Sequence, residues 1–450
     1  MNHDLRPWMS QSADRCDLAT TAADTGFGPL ELRLAPTQEA QIAIARQAIA
    51  DGARTIRIEP FSATARFQTA LRDALPQNIS FVASSSVAAD VVVIASAREE
   101  EIDGALLACA DLPAGIVIAP ETARHAARQG IYLISVPKAG THLLVRLAEA
   151  LGYRRGFCTA EPQPSHWHTL EPQDTHTRAP DFLGSTLRRQ GIRQHAFSRT
   201  PVLFIYRDPR DVLVSEAHYY HQPGNHFSLG YLSHLGFRDR LLRLVDDPWL
   251  LGSIRSRMAG FAAWLDIPNV IPIAFEELVG PAGGGETLAQ RRAVWSIQLK
   301  LHIAGRPDVI AASLYDPASP TFRRGQVGTW REYFDQEVSD RFAELPDDFM
   351  RRFGYDSAAL HNPMPAHCDR FRRRRLELTD LEEPETPILI ESNVGGSNIV
   401  RYRRRFTAIP LALGRVTLET WTDEELKCLA SDADLARLRD RLRERPQPLR

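Results

Sequence analysis

Short apolar runs alternate with amphipathic stretches along the chain from residue 28 to 128. The runs at 30–34 and 115–119 have the length of buried strands, and the stretch at 37–50 has the spacing of a helix with one apolar face. Strands that alternate with helices are typical of α/β units with a largely parallel sheet. The pattern therefore predicts an N-terminal α/β domain of unknown role at 28–128, after an irregular polar arm at 1–27.

The alternation restarts at residue 130 and continues to about residue 355. Strand candidates at 202–206 and 270–275 follow the first one at 130–136, and stretches with helical spacing separate them. We therefore predict a second α/β domain at 129–360, in which helices flank a central parallel sheet. The chain length of 450 residues agrees with more than one domain.

The end of the chain differs in composition from these two α/β blocks. An arginine cluster at 370–375 and an acidic, proline-containing run at 377–385 predict a charged linker at 361–386. Two strand-like stretches then flank a glycine pair, and a stretch with helical spacing follows. These features predict a small C-terminal β-containing module at 387–450.

Net charge and cysteine usage narrow the classes of function. Fifty-four basic residues against 56 acidic ones give a net charge of −2, so no global positive field favours nucleic acid or an anionic membrane. Five dispersed cysteines, none in a C-x-x-C pair, argue against a disulfide framework and a zinc site. Since there is no apolar stretch of about 18 residues, the sequence predicts a cytoplasmic protein without a transmembrane segment.

The first candidate site is the loop that follows the strand at 130–136. Its residues are Pro137, Lys138, Ala139, Gly140, Thr141 and His142. A helix begins directly behind this loop, and backbone N–H groups at a helix N-terminus attract anions. Lysine is rare here, with 51 of the 54 basic residues being arginine, as in GC-rich bacterial genomes, so Lys138 marks a position that requires a compact ammonium. The loop lacks the G-x-x-x-x-G-K-[ST] spacing of nucleoside triphosphatases, and a plain strand-to-helix turn remains the alternative.

A second candidate site follows the strand at 202–206. Arg207 falls at the carboxyl end of this strand, where open parallel sheets bind ligands. Ser215 lies two helical turns farther on and can share a helix face with Arg207. An arginine and a serine hydroxyl suit a second phosphate group, and a surface network of arginine and aspartate is the alternative.

A third candidate site lies in the segment 322–331. Arg323 and Arg324 precede Gly325 there, and a second glycine and a tryptophan follow. Glycine permits close backbone approach, and paired guanidinium groups recognise phosphate oxygens. The segment therefore predicts further contacts with an anion.

Together these segments resemble the family of sulfotransferases that depend on PAPS, which is 3′-phosphoadenosine 5′-phosphosulfate. The sequence P-K-A-G-T-H-L at 137–143 is similar to the family's P-K-S-G-T-T-W loop for the phosphosulfate. The sequence R-D-P-R-D-V-L-V-S at 207–215 is similar to its motif for the 3′-phosphate, and R-R-G-Q-V-G-T-W-R at 323–331 to its R-K-G-x-x-G-D-W-K segment. The strand that leads into Phe275 resembles the family's strand that ends in Y-E-D-L. The likeness covers about residues 130–356.

The resemblance implies a P-loop-like fold and transfer of a sulfuryl group from PAPS, as co-substrate, to an acceptor hydroxyl without a metal. The residues that it assigns to PAPS are Pro137, Lys138, Ala139, Gly140, Thr141, His142, Arg207, Ser215, Phe275, Arg323, Arg324 and Gly325. Lys138 would also stabilise the charge on the leaving oxygen. Ala139, His142 and Leu143 replace a serine, a threonine and a tryptophan of the family's loop, which puts adenine packing by this loop in question.

An acceptor hydroxyl must also lose its proton, usually to a histidine or a glutamate. His168 is our predicted base, because the stretch 166–172 is placed to end a strand at the active edge of the sheet. His176 and Glu171 are the alternatives. His195 precedes the strand at 202–206 and so falls at its amino end, on the opposite edge.

The acceptor is predicted only as a class. The segment at 396–410 resembles short β modules of bacterial glycan-modifying enzymes, so we expect a saccharide or a small metabolite, with no nucleic-acid partner. A P-loop kinase-like phosphotransferase and a non-catalytic nucleotide-binding or scaffold protein are the alternative functions. The sequence predicts no oligomeric state.

Overall fold

The computed structural model describes residues 29–59, 65–82, 89–112, 114–121, 129–156, 162–170, 176–179, 182–183, 195–223, 229–248, 251–315, 325–346, 348–355, 387–402, 405–414, 416, 418, 426 and 429–443. Two compact units make up the chain. The first comprises the described residues before 129 together with Arg291–Ala312, and the second comprises those of Gln129–Gln290 and Ser313–Arg450.

Strands and helices alternate through most of the chain. The strands are β1 Glu31–Ala35, β2 Thr55–Glu59, β3 Ser80–Val82, β4 Val91–Ile94, β5 Ile116–Pro120, β6 Ile131–Ser135, β7 Arg154–Arg155, β8 His166–Thr169, β9 Val202–Tyr206, β10 Gly252–Ser253, β11 Val270–Ala274, β12 Ile388–Val394, β13 Ser397–Tyr402, β14 Arg405–Pro410 and β15 Ala430–Asp432. The α-helices are α1 Gln38–Ala50, α2 Ala65–Asp73, α3 Glu99–Leu107, α4 Thr141–Ala150, α5 Pro209–Tyr219, α6 Leu229–Leu232, α7 Phe237–Asp246, α8 Ile254–Ala262, α9 Phe275–Leu278, α10 Thr287–Leu301, α11 Pro307–Ala312, α12 Gln336–Ala343, α13 Asp348–Arg352 and α14 Leu435–Arg443.

The first unit is built on a parallel sheet with the strand order β1-β5-β4-β2-β3. Strand β4 is apolar and buried along its whole length, as expected for a strand covered on both faces. Residues 291–312 also belong to this unit, because Trp295 is buried in its core and donates a hydrogen bond to the carbonyl of Cys109 at 2.9 Å. The domain boundaries derived from the sequence, 28–128 and 129–360, stay predictions.

The second unit contains another parallel sheet, with the strand order β11-β9-β6-β8-β7. Strands β6, β9 and β11 are buried throughout, so their apolar side chains form the centre of the core. These three strands are also direct neighbours and run in the same direction. The segments that follow them therefore meet at one edge of the sheet.

The C-terminal residues form an antiparallel sheet with the strand order β12-β13-β14-β15. Gly395 and Gly396 join β12 to β13 with φ angles of 55° and 78°, a conformation that glycine adopts without strain. Helix α14 packs on this sheet through Leu438 and Leu442. The predicted fold class is confirmed: parallel α/β sheets carry flanking helices, and a β-containing module ends the chain.

Candidate functional site

The loop between β6 and α4 has an unusual backbone. Lys138 has a φ angle of 64°, which is uncommon for a residue with a side chain, and Gly140 has a φ of 106°. A Cβ atom at Gly140 would lie 2.7 Å from Cδ2 of Phe275, so this position requires glycine for its conformation and for its close contact. Thr141 then begins α4, and its Oγ1 lies 2.8 Å from Oγ of Ser135. The first N–H groups of α4 are thereby placed behind the Lys138 loop.

The ammonium group of Lys138 lies over an aromatic ring. Its Nζ is 3.3 Å from the centre of the Tyr219 ring on α5. Partial burial lowers the pKa of Lys138 to about 8, and the nearby charge of Glu216 opposes this shift. Because little water hydrates this cation, an anion bound at the loop would interact with it strongly.

Arg207, at the end of β9, is held by three groups. Its Nη2 donates a hydrogen bond to the carbonyl of Gln326 at 2.7 Å and lies 3.3 Å from Oδ2 of Asp211. Its Cζ is 4.4 Å from the centre of the Phe275 ring. The side chain is 9% exposed, and its Nε has no hydrogen-bond partner among the described residues. The arginine–aspartate network considered from the sequence is thus present, but it is buried and leaves one N–H of Arg207 for a ligand.

Asp211 connects the second and third candidate segments. Its carboxylate accepts hydrogen bonds from the backbone N–H groups of Gly328 at 2.8 Å and Trp330 at 2.9 Å. Burial raises the pKa of Asp211, and the charge of Arg207 opposes this shift. The sequence pattern did not single out Asp211; its position four residues after Arg207 is the only signal.

One face of helix α5 spans the distance between Lys138 and Arg207. Asp211, Ser215 and Tyr219 are spaced four residues apart and therefore share this face. Asp211 contacts Arg207 at one end, and Tyr219 contacts Lys138 at the other. Since a helix rises 1.5 Å per residue, the two contacts are about 12 Å apart, and Ser215 lies between them.

Phe275 contacts both the Lys138 loop and Arg207. It follows β11 directly, and its ring lies close to Gly140 and to the guanidinium of Arg207. The next residue, Glu276, fixes this arrangement because it accepts hydrogen bonds from the N–H of Asp208 at 3.0 Å and the hydroxyl of Tyr355 at 2.6 Å. Burial raises the pKa of Glu276 to about 7.

The third candidate segment is described only in part. Arg323 and Arg324 lie outside the described residues, whereas Gly325 has a φ angle of 55°. The N–H of Val327 donates to the carbonyl of Gly283 at 2.9 Å, and a Cβ atom at Gly283 would lie 2.6 Å from the carbonyl oxygen of Gly325. Glycine at 283 therefore allows close packing of this segment beside Arg207.

A cavity of about 300 Å³ opens beside the Lys138 loop, and Pro137 and His176 are among its lining residues. Nδ1 of His176 is 2.9 Å from the carbonyl oxygen of Ser135 and 3.1 Å from Oγ of the same residue. A carbonyl oxygen can only accept, so Nδ1 carries the hydrogen, and the lone pair of the neutral imidazole is on Nε2. His176 is thus tied to the strand that leads into the loop.

His168 is placed elsewhere. It pairs with Tyr132 in the register of β8 with β6, three residues before β6 ends at Ser135. The side chain is 1% exposed, and its Nε2 accepts a hydrogen bond from the N–H of Gln163 at 2.9 Å. The structure therefore does not bring His168 to the loop, because β8 is staggered and ends too early along the sheet.

The other residues assigned to the site lie as follows. Ala139 is buried beneath the loop, and His142 is exposed on the first turn of α4. Glu171 lies outside the described residues. His195 stands before β9, at its amino end, where its Nδ1 accepts the N–H of Phe197 at 3.1 Å.

Two further features are absent from the described part of the chain. It contains no group of three or more histidine, cysteine, aspartate or glutamate side chains arranged to hold a metal ion. None of its helices has both the length and the apolar character needed to cross a membrane.

Comparison with known proteins gives similarity at the level of structure. No protein-family model and no curated protein sequence matches the chain. Among solved structures, mouse sulfotransferase SULT7A1 complexed with PAP is 20% identical, with a TM-score of 0.36 over 50% of this chain and 85% of that chain. Retinol dehydratase with androsterone and inactive cofactor PAP is 15% identical, with a TM-score of 0.29 over 52% and 83% of the two chains. Retinol dehydratase with retinol and PAP is 14% identical, with a TM-score of 0.28 over the same shares, 52% and 83%.

Proposed function

We propose that the protein is a sulfotransferase that moves a sulfuryl group from PAPS to an acceptor hydroxyl. The observation that carries this proposal is the convergence of Lys138, Phe275 and Arg207, which follow three neighbouring parallel strands. PAPS bears anionic groups at its 5′ and 3′ positions, so a site for it needs two separated cations. Lys138 and Arg207 supply these along one face of α5, and the Phe275 ring lies close to Arg207 and to Gly140 of the loop.

In this proposal each cation binds a different anionic group of PAPS. Lys138 and the N-terminus of α4 would hold the phosphosulfate, and Arg207 with Ser215 would hold the 3′-phosphate. Asp211 would act indirectly, because it holds the segment at 325–330 against Arg207. The backbone groups that would bind the phosphosulfate come from the loop and from the first turn of α4. Pro137, Ala139 and Gly140 belong to the loop, and Thr141 and His142 belong to the helix. Arg323 and Arg324 remain candidates from the motif alone.

The proposed reaction is an in-line displacement at sulfur. The acceptor oxygen forms a bond to the sulfur while the bond from sulfur to the bridging oxygen breaks, and that oxygen leaves with its electron pair on adenosine 3′,5′-bisphosphate, PAP. The acceptor's proton goes to a base, for which we propose Nε2 of His176 in place of His168. The ammonium of Lys138 would stabilise the negative charge that grows on the bridging oxygen.

Nucleotide selectivity tests this function directly. We expect PAP to give a saturable heat signal in isothermal titration of the full-length protein, and ATP and GTP to give none, with or without Mg²⁺. The loop lacks the lysine and serine or threonine spacing with which nucleoside triphosphatases bind phosphate and Mg²⁺. ATP binding as tight as that of PAP would favour the phosphotransferase, and no binding of any nucleotide would favour a scaffold.

PAP affinity should depend on pH through Lys138. Only the ammonium form attracts the anion, and the pKa of this group in the free protein is about 8. Bound PAP raises that pKa, so binding takes up a proton above pH 8 and affinity falls by up to about tenfold per pH unit. Titrations at pH 7, 8 and 9 measure this effect. In the control variant Lys138→Arg the cation stays charged, and the fall above pH 8 should disappear; the same fall in this variant would assign it to another group.

Arg207→Ala and Ser215→Ala should weaken PAP binding more than they lower kcat, because the 3′-phosphate is remote from the transferred sulfur. Loss of a hydrogen bond to a charged group costs about 1.5–3 kcal/mol, a ten- to 150-fold weaker affinity for Arg207→Ala. For Ser215→Ala we expect about a two- to tenfold change. Titration of PAP into each variant gives the affinity, and a melting curve shows whether the loss of the Gln326 contact unfolds the protein. Unchanged affinity in both variants would give Arg207 a purely structural role.

A further inference from the structure

The cavity beside the Lys138 loop has a wall that lies outside the region of resemblance. On one side it is lined by Pro137, His176 and residues of α5 and α8. On the other side it is lined by four consecutive residues of β12, from Leu389 to Ser392. The C-terminal sheet therefore borders the space next to the loop to which we assign the phosphosulfate.

The cavity faces the edge of β12. Ile390 and Leu389 pack in two different apolar clusters, and the register of β12 with β13 is irregular after Leu389, yet all four residues from Leu389 to Ser392 line the cavity. β12 is also the terminal strand of its sheet, with β13 as its only strand neighbour among the described residues. Its unshared edge, with the side chains of Leu389 and Ile390 on either side, thus forms the wall.

The strand is held in place from behind. Ile390 and Val394 pack against Ile399, Ala408 and Leu438. The carboxylate of Glu391 forms an ion pair with Arg439 of α14 and accepts a hydrogen bond from its Nε at 2.9 Å. These contacts hold β12 in a defined position. A wall must be fixed in this way if it is to select acceptors by their size.

The lining of the cavity as a whole is mostly apolar. It includes Val136, Val212, Leu251, Ile254, Met258, Phe261, Leu389 and Ile390. A saccharide would bring many hydroxyl groups against this surface. Each hydroxyl group that finds no hydrogen-bond partner there loses its hydration, which weakens binding. An apolar molecule avoids that cost, and a volume of about 300 Å³ lies at the lower end for small-molecule sites.

The two carboxylates of the lining are paired within the protein. Glu216 accepts a hydrogen bond from Arg257 at 2.7 Å and another from the hydroxyl of Tyr220 at 3.2 Å. Glu391 is paired with Arg439. These carboxylates therefore do not favour a cationic ligand, and Arg178 adds a guanidinium to the lining.

On this basis, and resting on the proposed function, we infer that β12 is a wall of the acceptor pocket and that Leu389 determines which acceptors fit. The acceptor is a compact and mainly apolar molecule that carries a hydroxyl group. The C-terminal sheet is then part of the active site and not an appended carbohydrate-binding module. This differs from the saccharide acceptor expected from the sequence of the tail.

Binding of 2-naphthol, followed by its own fluorescence, tests the inference on the full-length protein with PAP bound. Leu389→Ala removes apolar surface from the wall, and we expect about a tenfold higher Kd for 2-naphthol with PAP affinity unchanged within twofold. Leu389→Trp fills the cavity and should abolish 2-naphthol binding while the smaller phenol still binds. Leu413→Ala is the matched control, because Leu413 is 48% exposed near the same sheet and does not line the cavity.

The outcomes separate this inference from the proposed function. If the unmodified protein binds PAP but both Leu389 variants bind 2-naphthol as Leu413→Ala does, β12 is not a wall of the pocket. Sulfation of N-acetylglucosamine in preference to 2-naphthol would overturn the apolar acceptor class. Failure of the unmodified protein to bind PAP would overturn the proposed function itself.

Discussion

Replacing Lys138 with alanine is expected to lower the rate of sulfuryl transfer by about 10²–10³ while the protein remains folded. The ammonium is partly buried against Tyr219, and this burial lowers its pKa to about 8. Such a group stabilises a developing anion more than water would. Removing its charge therefore raises the free energy of the transition state. Initial rates at saturating PAPS, with the melting temperature of each variant, measure the effect.

Two further variants separate charge from backbone strain. Lys138 has a φ angle of 64°, and alanine keeps the Cβ atom that makes this conformation costly. Lys138→Gly removes both the strain and the charge, so it should be as inactive as Lys138→Ala if the charge is what matters. Arg154→Ala removes an exposed cation on β7 and should leave the rate unchanged. Recovery of the rate in Lys138→Gly would contradict an electrostatic role.

The location of the site was predictable from sequence because it depends on strand direction. The strands before Lys138, Arg207 and Phe275 are continuous apolar runs, and parallel strands place their carboxyl ends at one edge of a sheet. Their adjacency in the order β11-β9-β6 comes from the structure. The sequence pattern thus predicts the edge, and the folded chain determines which residues touch.

The contacts that complete the site depend on residues far apart in the chain. The sequence around Tyr219 carries no signal that this ring contacts Lys138. For Asp211 the spacing from Arg207 is a signal, but nothing local indicates its hydrogen bonds to the segment at 325–330. The approach of β12 to the loop brings together residues more than 240 positions apart, such as Pro137 and Leu389. Spacing rules describe only neighbours along one element, so they cannot predict such contacts.

The position of His168 along the sheet depends on a similar long-range feature. The strand that contains His168 was predicted, but its stagger is set by hydrogen bonds with β6, where Leu133 pairs with Thr169. β8 therefore ends two residues short of the end of β6. The register between two strands depends on both of them, so the residue pattern of a single strand does not predict it.

The two histidines should give opposite results when each is replaced by alanine. His176→Ala should lower kcat by about 10²–10⁴ with PAP affinity and melting temperature nearly unchanged, because a base acts on the acceptor and not on the nucleotide. His168→Ala should instead lower the melting temperature and leave kcat intact. Its buried ring accepts the N–H of Gln163, and the loss of this hydrogen bond costs about 0.5–1.5 kcal/mol.

Chemical rescue makes the test of His176 specific to proton transfer. Imidazole added to His176→Ala should restore part of the rate, because Ser135 and Pro137 border the space that the side chain leaves. A purely structural role would move the melting temperature and give no rescue. The opposite result would be a loss of turnover in His168→Ala at an unchanged melting temperature, with normal turnover in His176→Ala. That result would contradict the assignment of the base to His176 and would assign it to His168 on β8.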